Sequence, residues 1–333
     1  MQRSLVGSEM CIRDSADATQ EQLLRVLDEV NTDDGIHGCL LFRPLPKQFD
    51  DRTIRAALRP EKDIDGITDG SLAGVFTNTD LGYAPCTAQA CMEILKYYNV
   101  PLSGKRAVVV GRSLVVGKPA AMMLDRENAT VTLCNSRTQN LPDVCREADV
   151  VVVAMGKMGF IGAEHLRAGQ VVVDVGIHVN EEGRLCGDVR FGEAEPVVEA
   201  ITPVPGGVGT VTTSVLVSHV VEAAEKALAD AKISGCEIDL IIAGTISPDY
   251  IFPSLACEVQ AAIGAKSATA FDLSAGCSGF LFALATADAY FRTGRYKHAL
   301  VIGAETLSKM MNWADRSTCL LYTSPSPRDY AAS

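Results

Sequence analysis

The sequence predicts an α/β protein organised around a doubly wound parallel sheet of the Rossmann type. Residues 86–228 alternate β-branched apolar runs with amphipathic, helix-length segments. Two of these runs, "DVVVVAMG" and "QVVVDVGI", have a glycine at or next to their last position, as strand ends that face a nucleotide often do. The hydrophobic share of 47% and aromatic share of 6% are typical of a soluble α/β enzyme. The length of 333 residues allows more than one domain.

Charge and cysteine content exclude several classes of function. The net charge is −11 and Lys and Arg are not clustered, so we expect no nucleic-acid partner. No apolar run approaches the roughly 20 residues of a membrane helix, so we expect no membrane partner. The eleven cysteines form no C-x-x-C pair and have no histidine at zinc spacing. We therefore predict reduced thiols, a cytoplasmic protein and no metal site.

The loop after the run Arg106–Val110 is the most informative motif. That run predicts a buried parallel strand, and Pro119–Leu124 predicts the beginning of a helix. The loop between them is framed by Gly111 and Gly117. A strand, a glycine loop and a helix start together direct backbone N–H groups and the positive end of the helix dipole toward a phosphate. The P-loop alternative fails because five residues separate the glycines and Pro119 replaces the magnesium-binding hydroxyl residue.

The end of the next strand indicates which dinucleotide this site prefers. An NAD site carries Asp or Glu there to hold the ribose hydroxyls. In this chain the strand "ATVTLC" is followed by residues 135–138, Asn-Ser-Arg-Thr, with no carboxylate. Two hydroxyls and one cation, including Ser136 and Arg137, suit a 2′-phosphate, so we predict that the cofactor is NADP. A polar turn without a ligand is the alternative.

These motifs carry a family resemblance over about residues 16–228. The strings "GRSLVVGKP", "DVGIH", "GDV" and "ITPVPGGVG", with "PEKDIDG" upstream, resemble the bifunctional methylenetetrahydrofolate dehydrogenase/methenyltetrahydrofolate cyclohydrolase. The resemblance implies hydride transfer from 5,10-methylenetetrahydrofolate to NADP⁺, and then attack of water on the methenyl product to give 10-formyltetrahydrofolate. It also implies a homodimer.

The resemblance assigns residues to the cofactor and to the substrate. It implies that NADP contacts the loop after the first strand and that Ile177 lies beside the nicotinamide. It implies that Asp63 binds the pterin and that the segment 203–209 lines a cleft between domains. With the loop residues above, the predicted cofactor contacts are Gly111, Arg112, Ser113, Gly117, Ser136, Arg137 and Ile177, and the predicted substrate contacts are Asp63, Pro203, Gly206 and Gly207.

The hydrolytic step needs a residue that activates water. The family supplies a lysine and a tyrosine from a helix near its N-terminus, and that helix has no counterpart here, so we expect the cyclohydrolase step to be impaired. Asp63, Asp65 and Asp69 resemble an acidic metal or acid/base cluster, but we interpret them as a solvated loop that contains one pterin ligand.

Cys277 is a second candidate for chemistry. It follows a strand and a small-residue turn at the start of an apolar helix, where the helix dipole lowers a thiol pKa and favours a nucleophile. Structural burial is the alternative. The strings "DYIFPSLACEVQAAIGA", "DLSAGCSGF" and "ALVIGAET" resemble β-ketoacyl-acyl-carrier-protein synthase III, which has a thiolase fold, over about residues 221–318. The resemblance implies that Cys277 accepts an acyl group from acyl-CoA before condensation with malonyl-acyl-carrier protein.

Both termini are predicted to be foreign to the fold. Met10–Ser15 back-translates as ATG TGT ATA AGA GAC AGx, and the reverse complement of that DNA, with its upstream bases, encodes the Cys-Leu-Leu-Tyr-Thr-Ser of Cys319–Ser324. The two ends resemble one transposase end of sequencing-library adapters, read in opposite directions. We therefore treat residues 1–15 and 319–333 as adapter-like scars that take no part in the fold.

A seam is predicted in the helix Val220–Ala231, because a new strand–helix series follows it without a linker.

The leading hypothesis is a folate dehydrogenase/cyclohydrolase joined to part of a fatty-acid synthase component. The alternatives are an acyltransferase centred on Cys277, an inactive NADP-binding chimera and a genuine gene fusion. The predicted partners are tetrahydrofolate derivatives, with acyl-CoA or acyl-carrier protein as further candidates. The predicted organisation comprises a scar (1–15), a partial tetrahydrofolate-binding catalytic domain (16–85), an NADP-binding Rossmann domain with a returning C-terminal helix (86–228), a partial thiolase-like fragment (229–318) and a second scar (319–333).

Overall fold

The structure is a computed structural model that describes residues 5–6, 19–34, 36–41, 45, 48–245, 252–275 and 279–303. The candidate nucleophile Cys277 and the predicted scar 319–333 lie outside the described residues. No helix in the described part of the chain is both long enough and apolar enough to cross a bilayer.

Strands and helices alternate along most of the described chain. The strands are β1 (Leu5–Val6), β2 (Ile36–Gly38), β3 (Arg106–Val110), β4 (Thr130–Cys134), β5 (Val150–Val153), β6 (Val171–Asp174), β7 (His178–Val179), β8 (Leu185–Cys186), β9 (Ala200–Ile201), β10 (Leu240–Gly244), β11 (Thr269–Leu273) and β12 (Ala299–Gly303). The helices are α1 (Gln20–Thr32), α2 (Asp51–Ala57), α3 (Asp69–Thr77), α4 (Cys86–Tyr97), α5 (Gly117–Arg126), α6 (Leu141–Arg146), α7 (Phe191–Ala194), α8 (Val208–Ala231), α9 (Leu255–Ala262) and α10 (Gly279–Arg292).

The central sheet has the strand order β4-β3-β5-β6-β9, and every neighbouring pair is parallel. This order confirms the predicted doubly wound fold. Alternate valines face opposite sides: Val109 and Val152 belong to the core under α4, α5 and α8, and Val108 and Val151 belong to the core on the α6 side. Because both faces are buried, these strands are continuous apolar runs in the sequence. The winding reverses between β3 and β5, and folds of this type bind nucleotides at that point.

The described residues between 19 and 85 form a smaller layer that positions Asp63. Helix α1 packs on α2 around Leu27 and Ile54. The amine of Lys62 is buried at the C-terminal end of α1, where it donates to the carbonyl oxygens of Val30 (2.7 Å), Asn31 (3.2 Å) and Asp33 (2.8 Å). Burial lowers the pKa of Lys62. This side chain therefore fixes the segment that continues into Asp63.

Helix α8 connects the two sheets. Its residues Val220, Ala223 and Ala227 belong to one continuous core that also contains Ile241 of β10 and Leu300 of β12. The helix continues past residue 228, the predicted boundary between the second and third segments, and ends at Ala231 before a left-handed Lys232 (φ 56°). The seam itself stays a prediction.

The second sheet combines strands from three predicted segments. Its order is β11-β10-β12-β1-β2 and all neighbouring strands are parallel. Strand β2 comes from residues 16–85, the predicted tetrahydrofolate-binding segment, which we call the folate-type segment. Strands β10–β12 come from the thiolase-like segment (229–318), and Leu5–Val6 lies between β2 and β12. The expectation that residues 1–15 take no part in the fold is therefore wrong for Leu5–Val6, because this strand fills the gap between two open sheet edges. The DNA origin of that segment stays a prediction.

Candidate functional site

Two glycines allow the loop after β3 to close at the point where the winding reverses. Gly111 has φ 127°, and a Cβ on it would lie 2.1 Å from the carbonyl oxygen of Ala154 after β5. A Cβ on Gly117 would lie 2.1 Å from the carbonyl oxygen of Gly111. Both positions therefore require glycine for backbone packing, whether or not a cofactor is bound.

The start of α5 is capped from within the same loop. The Oγ of Ser113 accepts hydrogen bonds from the N–H groups of Val116 (3.1 Å) and Gly117 (3.4 Å). The carbonyl of Ser113 accepts from the N–H of Lys118 (3.0 Å), and Pro119 has no N–H. The helix start thus satisfies its own donors, which differs from the expectation that they face a phosphate, because a nearby hydroxyl can cap them locally.

The remaining donors of this loop lie one step earlier. Within the described part of the chain, the N–H groups of residues 112–115 form no hydrogen bond. All four residues are exposed. These N–H groups, of which those of Arg112 and Ser113 come first after the strand, are therefore available to an anion, whereas those at the helix start are not.

The turn after β4 lies directly beside this loop, since the N–H of Gly111 donates to the carbonyl of Cys134 (3.0 Å). Asn135 holds the turn by accepting from the N–H of Arg137 (3.0 Å). Thr138 accepts from the N–H of Asn135 (2.9 Å). The polar-turn alternative thus explains the side chains of Asn135 and Thr138. It leaves the side chains of Ser136 and Arg137 without a structural role, because both residues are exposed and the Arg137 side chain has no ion pair to any described residue.

A buried aspartate that the sequence analysis did not single out fixes the loop after β5. Asp188 is 0% exposed, and its Oδ2 accepts from the N–H groups of Met155 (2.7 Å) and Gly156 (2.9 Å). Its Oδ1 accepts from the N–H of Lys157 (2.8 Å) and lies 2.7 Å from Nε2 of His178. One carboxylate therefore aligns three consecutive peptide groups. The signal in the sequence was the "GDV" string, but its partners lie about 30 residues away.

Asp174, at the end of β6, supports the same region. Its Oδ1 accepts from the N–H groups of Gly176 (2.9 Å) and Asp188 (3.0 Å), and its Oδ2 accepts from the N–H of Val189 (3.0 Å). Burial raises the pKa of Asp174 to about 6, although these three donors act in the opposite direction. The residues around it are thereby held in one arrangement just before Ile177.

Ile177 and the segment before α8 form the next part of the edge. Ile177 is 54% exposed, and its Cδ1 lies 3.7 Å from the position of a Cβ on Gly209. Pro203 and Gly206 are exposed, and Gly206 has φ 97°. Gly207 is buried, and a Cβ on it would meet the carbonyl oxygen of Pro203 at 2.4 Å. The structure therefore places Ile177, which is predicted to lie beside the nicotinamide, next to the segment 203–209, which is predicted to line the cleft.

Asp63 is buried, so the interpretation of its loop as solvated is wrong for this residue. It is 1% exposed, and its Oδ2 accepts from the N–H of Thr68 (2.7 Å) and the Oγ of Ser71 (2.7 Å). Its Oδ1 is buried and has no partner among the described residues. Asp69 is exposed and pairs with Arg55 (2.7 Å). The described residues contain no group of three His, Cys, Asp or Glu side chains that could hold a metal ion.

Comparisons with known proteins identify the family. Residues 85–228 match the NAD(P)-binding domain of tetrahydrofolate dehydrogenase/cyclohydrolase, and residues 6–65 match the catalytic domain of the same family. The bifunctional protein FolD of Carboxydothermus hydrogenoformans is 55% identical over 211 residues, which are 63% of this chain and 74% of that protein. The chain belongs to the FolD family. This is a family of NADP-dependent dehydrogenase/cyclohydrolase enzymes, so the first predicted resemblance is confirmed.

Solved FolD structures share the fold. FolD of Campylobacter jejuni has a TM-score of 0.61 and 37% identity, covering 63% of this chain and 74% of that chain. FolD of Trypanosoma brucei, solved with NADP cofactor and an inhibitor, has a TM-score of 0.60 and 35% identity, covering 64% and 74%. These similarities confirm the Rossmann-type fold class.

The C-terminal segment matches a different family. Residues 271–323 match 3-oxoacyl-[acyl-carrier-protein] synthase III, which confirms the second resemblance. This match continues past residue 318, and the FolD catalytic-domain match begins at residue 6. Both matches therefore overlap the segments predicted as scars, and the domain boundaries stay predictions.

Proposed function

We propose that this chain is a methylenetetrahydrofolate dehydrogenase that binds NADP at the edge formed by the loops after β3, β4 and β6. Bound NADP⁺ supplies the hydride acceptor, and the protein supplies binding and orientation. A homodimer and an acyl-carrier-protein partner for the C-terminal segment are further expectations from the two families.

The observation that carries the proposal is the turn after β4. Ser136 and Arg137 are exposed beside the Gly111 loop, and neither is needed to hold the turn. A hydroxyl and a guanidinium suit a 2′-phosphate, and a charge-assisted hydrogen bond to phosphate is about twice as strong as a neutral one. The free N–H groups of Arg112 and Ser113 suit the pyrophosphate at the point where the winding reverses.

The remaining contacts follow along the same edge of the sheet. Ile177 offers a half-exposed apolar surface next to Gly209, which suits one face of a nicotinamide ring. Asp63 offers a buried carboxylate oxygen that has no partner in the described part of the chain, which suits the N–H groups of a pterin. Hydride transfer depends mainly on holding the two rings in contact, and rigid anchors of this kind do so.

Replacing Arg137 with alanine tests the 2′-phosphate contact. We expect the Kd for NADP to rise about 10- to 100-fold, because one charge-assisted hydrogen bond contributes about 1.5–3 kcal/mol, while the Kd for NAD should change less than twofold. Isothermal titration with both cofactors measures this. Arg106→Ala is the matched control, since Arg106 is exposed at the opposite end of β3. An equal loss for NAD and NADP would contradict the assignment.

Replacing Asp63 with asparagine tests the pterin contact. We expect the KM for methylenetetrahydrofolate to rise at least about tenfold, because the amide presents a donor where the carboxylate presented an acceptor. The Kd for NADP should stay within twofold. The assay is substrate-dependent NADPH absorbance. Asp69→Asn, an exposed carboxylate of the next turn, should leave both constants unchanged. An unchanged KM in Asp63→Asn would exclude Asp63 as the ligand.

A further inference from the structure

A buried histidine in the middle of α8 contacts the loop that carries Asp63. His219 is 5% exposed, and its ring centroid lies 4.9 Å from that of Tyr83. Its Nδ1 lies 2.8 Å from the carbonyl oxygen of Ile64, the residue after Asp63. Its Nε2 lies 3.1 Å from the side-chain amide of Gln89 on α4. A side chain of α8 thus contacts the main chain of the folate-type segment directly.

The partners of His219 define its tautomer. A carbonyl oxygen only accepts, so the Nδ1 of His219 carries a hydrogen and donates to Ile64. Burial lowers the pKa of His219, which favours the neutral ring. The Nε2 atom is then an acceptor. The structure places Oε1 of Gln89 3.1 Å from it, so the neutral ring requires the Gln89 amide to be flipped so that its nitrogen donates to Nε2. The contact with Ile64 is therefore a directional hydrogen bond.

A second donor reaches the same carbonyl. The Sγ of Cys86, at the start of α4, lies 3.5 Å from the carbonyl oxygen of Ile64 and 3.5 Å from Nδ1 of His219. Burial raises the pKa of Cys86, so it stays a thiol and donates. Helices α4 and α8, which both belong to the predicted NADP-binding domain (86–228, the NADP-type segment), thus hold the peptide carbonyl of Ile64 in the loop that carries Asp63.

This arrangement determines where the free oxygen of Asp63 points. Thr68 and Ser71 hold the carboxylate through its Oδ2. His219 holds the peptide group between Ile64 and Asp65 through the carbonyl of Ile64. Because both the Asp63 side chain and this nearby peptide group are anchored, the directions open to Oδ1 are restricted.

We propose that His219 is a positioning residue for the folate-binding carboxylate of Asp63. The inference rests on the proposed function, since it assumes that Asp63 binds the pterin. Helix α8 begins at the cleft segment 203–209 and reaches the Asp63 loop through His219. The same helix therefore sets the position of the cleft beside Ile177 and that of the pterin ligand.

The test compares three variants of the full chain. His219→Leu removes the donor, and we expect the KM for methylenetetrahydrofolate to rise about tenfold while the KM for NADP stays within twofold. His219→Asn places an amide N–H where Nδ1 stood, and we expect it to restore the KM for the folate to within about threefold of wild type. His165→Leu is the matched control, because His165 is also buried (7% exposed) but belongs to the α6 side of the NADP-type domain.

The outcomes separate this inference from the proposed function. Wild-type protein without folate-dependent NADPH formation would contradict the proposed function and this inference together. Wild-type turnover with an unchanged folate KM in His219→Leu would overturn only the inference. It would also be overturned if both KM values rose equally, or if His219→Asn were no better than His219→Leu, because a purely structural role predicts those results.

Discussion

Gly111→Ala is expected to weaken NADP binding about 100-fold, which corresponds to about 2.7 kcal/mol. The added Cβ would lie 2.1 Å from the carbonyl oxygen of Ala154, and that atom belongs to the backbone that follows β5. The positive φ of 127° adds strain of about 1–3 kcal/mol for a residue with a side chain. The loop must therefore move away from the sheet edge, and the N–H groups of Arg112 and Ser113 move with it. Isothermal titration with NADP measures the effect.

The matched control for this variant is Gly104→Ala. Gly104 also has a positive φ (73°), but a Cβ on it would have no heavy atom within 4 Å. We expect a loss of about 1 kcal/mol in the free energy of unfolding and no change in the Kd for NADP. If folded Gly111→Ala bound NADP as tightly as Gly104→Ala, the loop after β3 would not be the cofactor site.

Asp188→Ala is expected to lower the free energy of unfolding by about 4 kcal/mol, because hydrogen bonds to a charged group contribute about 1.5–3 kcal/mol each. The substitution leaves the N–H groups of Met155, Gly156 and Lys157, and also His178, without their acceptor. The loop after β5 then loses its alignment next to the Gly111 loop. Urea unfolding measures the loss of stability.

Asp125→Ala is the control for the loss of a carboxylate. Asp125 is exposed on α5, and its removal should change the free energy of unfolding by no more than about 0.5 kcal/mol. A loss below about 1 kcal/mol in Asp188→Ala would mean that water satisfies the three N–H groups. The carboxylate would then not be what holds this loop.

The central sheet could be predicted from the sequence because its signal is local. The valine runs of β3, β5 and β6 are buried on both faces, so their composition alone distinguishes them from amphipathic strands. The glycines at 111 and 117 mark the loop between β3 and α5 for the same reason, since a tight turn restricts the residue type locally. The missing carboxylate at the end of β4 is also a local feature, and it predicted the preference for NADP.

The site was predicted less completely because burial of polar groups depends on contacts distant in sequence. The three aspartates in this stretch suggested a solvated loop. The structure instead buries the Asp63 side chain, which is held by Thr68 and Ser71 and covered by the packing of α8. The string "GDV" marked the position of Asp188, but it did not indicate that Asp188 accepts three N–H groups from residues 155–157. The shared sheet of β1, β2 and β12 likewise joins residues almost 300 positions apart.

The sequence by itself determined the doubly wound fold, the FolD-family motifs and the cofactor preference, because each is encoded within a single strand, loop or helix start. Among the residues that the structure describes, the tertiary structure alone decided which donors remain free for a phosphate, which carboxylate oxygen is buried without a partner, and which side chain of α8 contacts the loop of Asp63. Those properties depend on which surfaces exclude water, and that is set only when segments distant in the chain pack together.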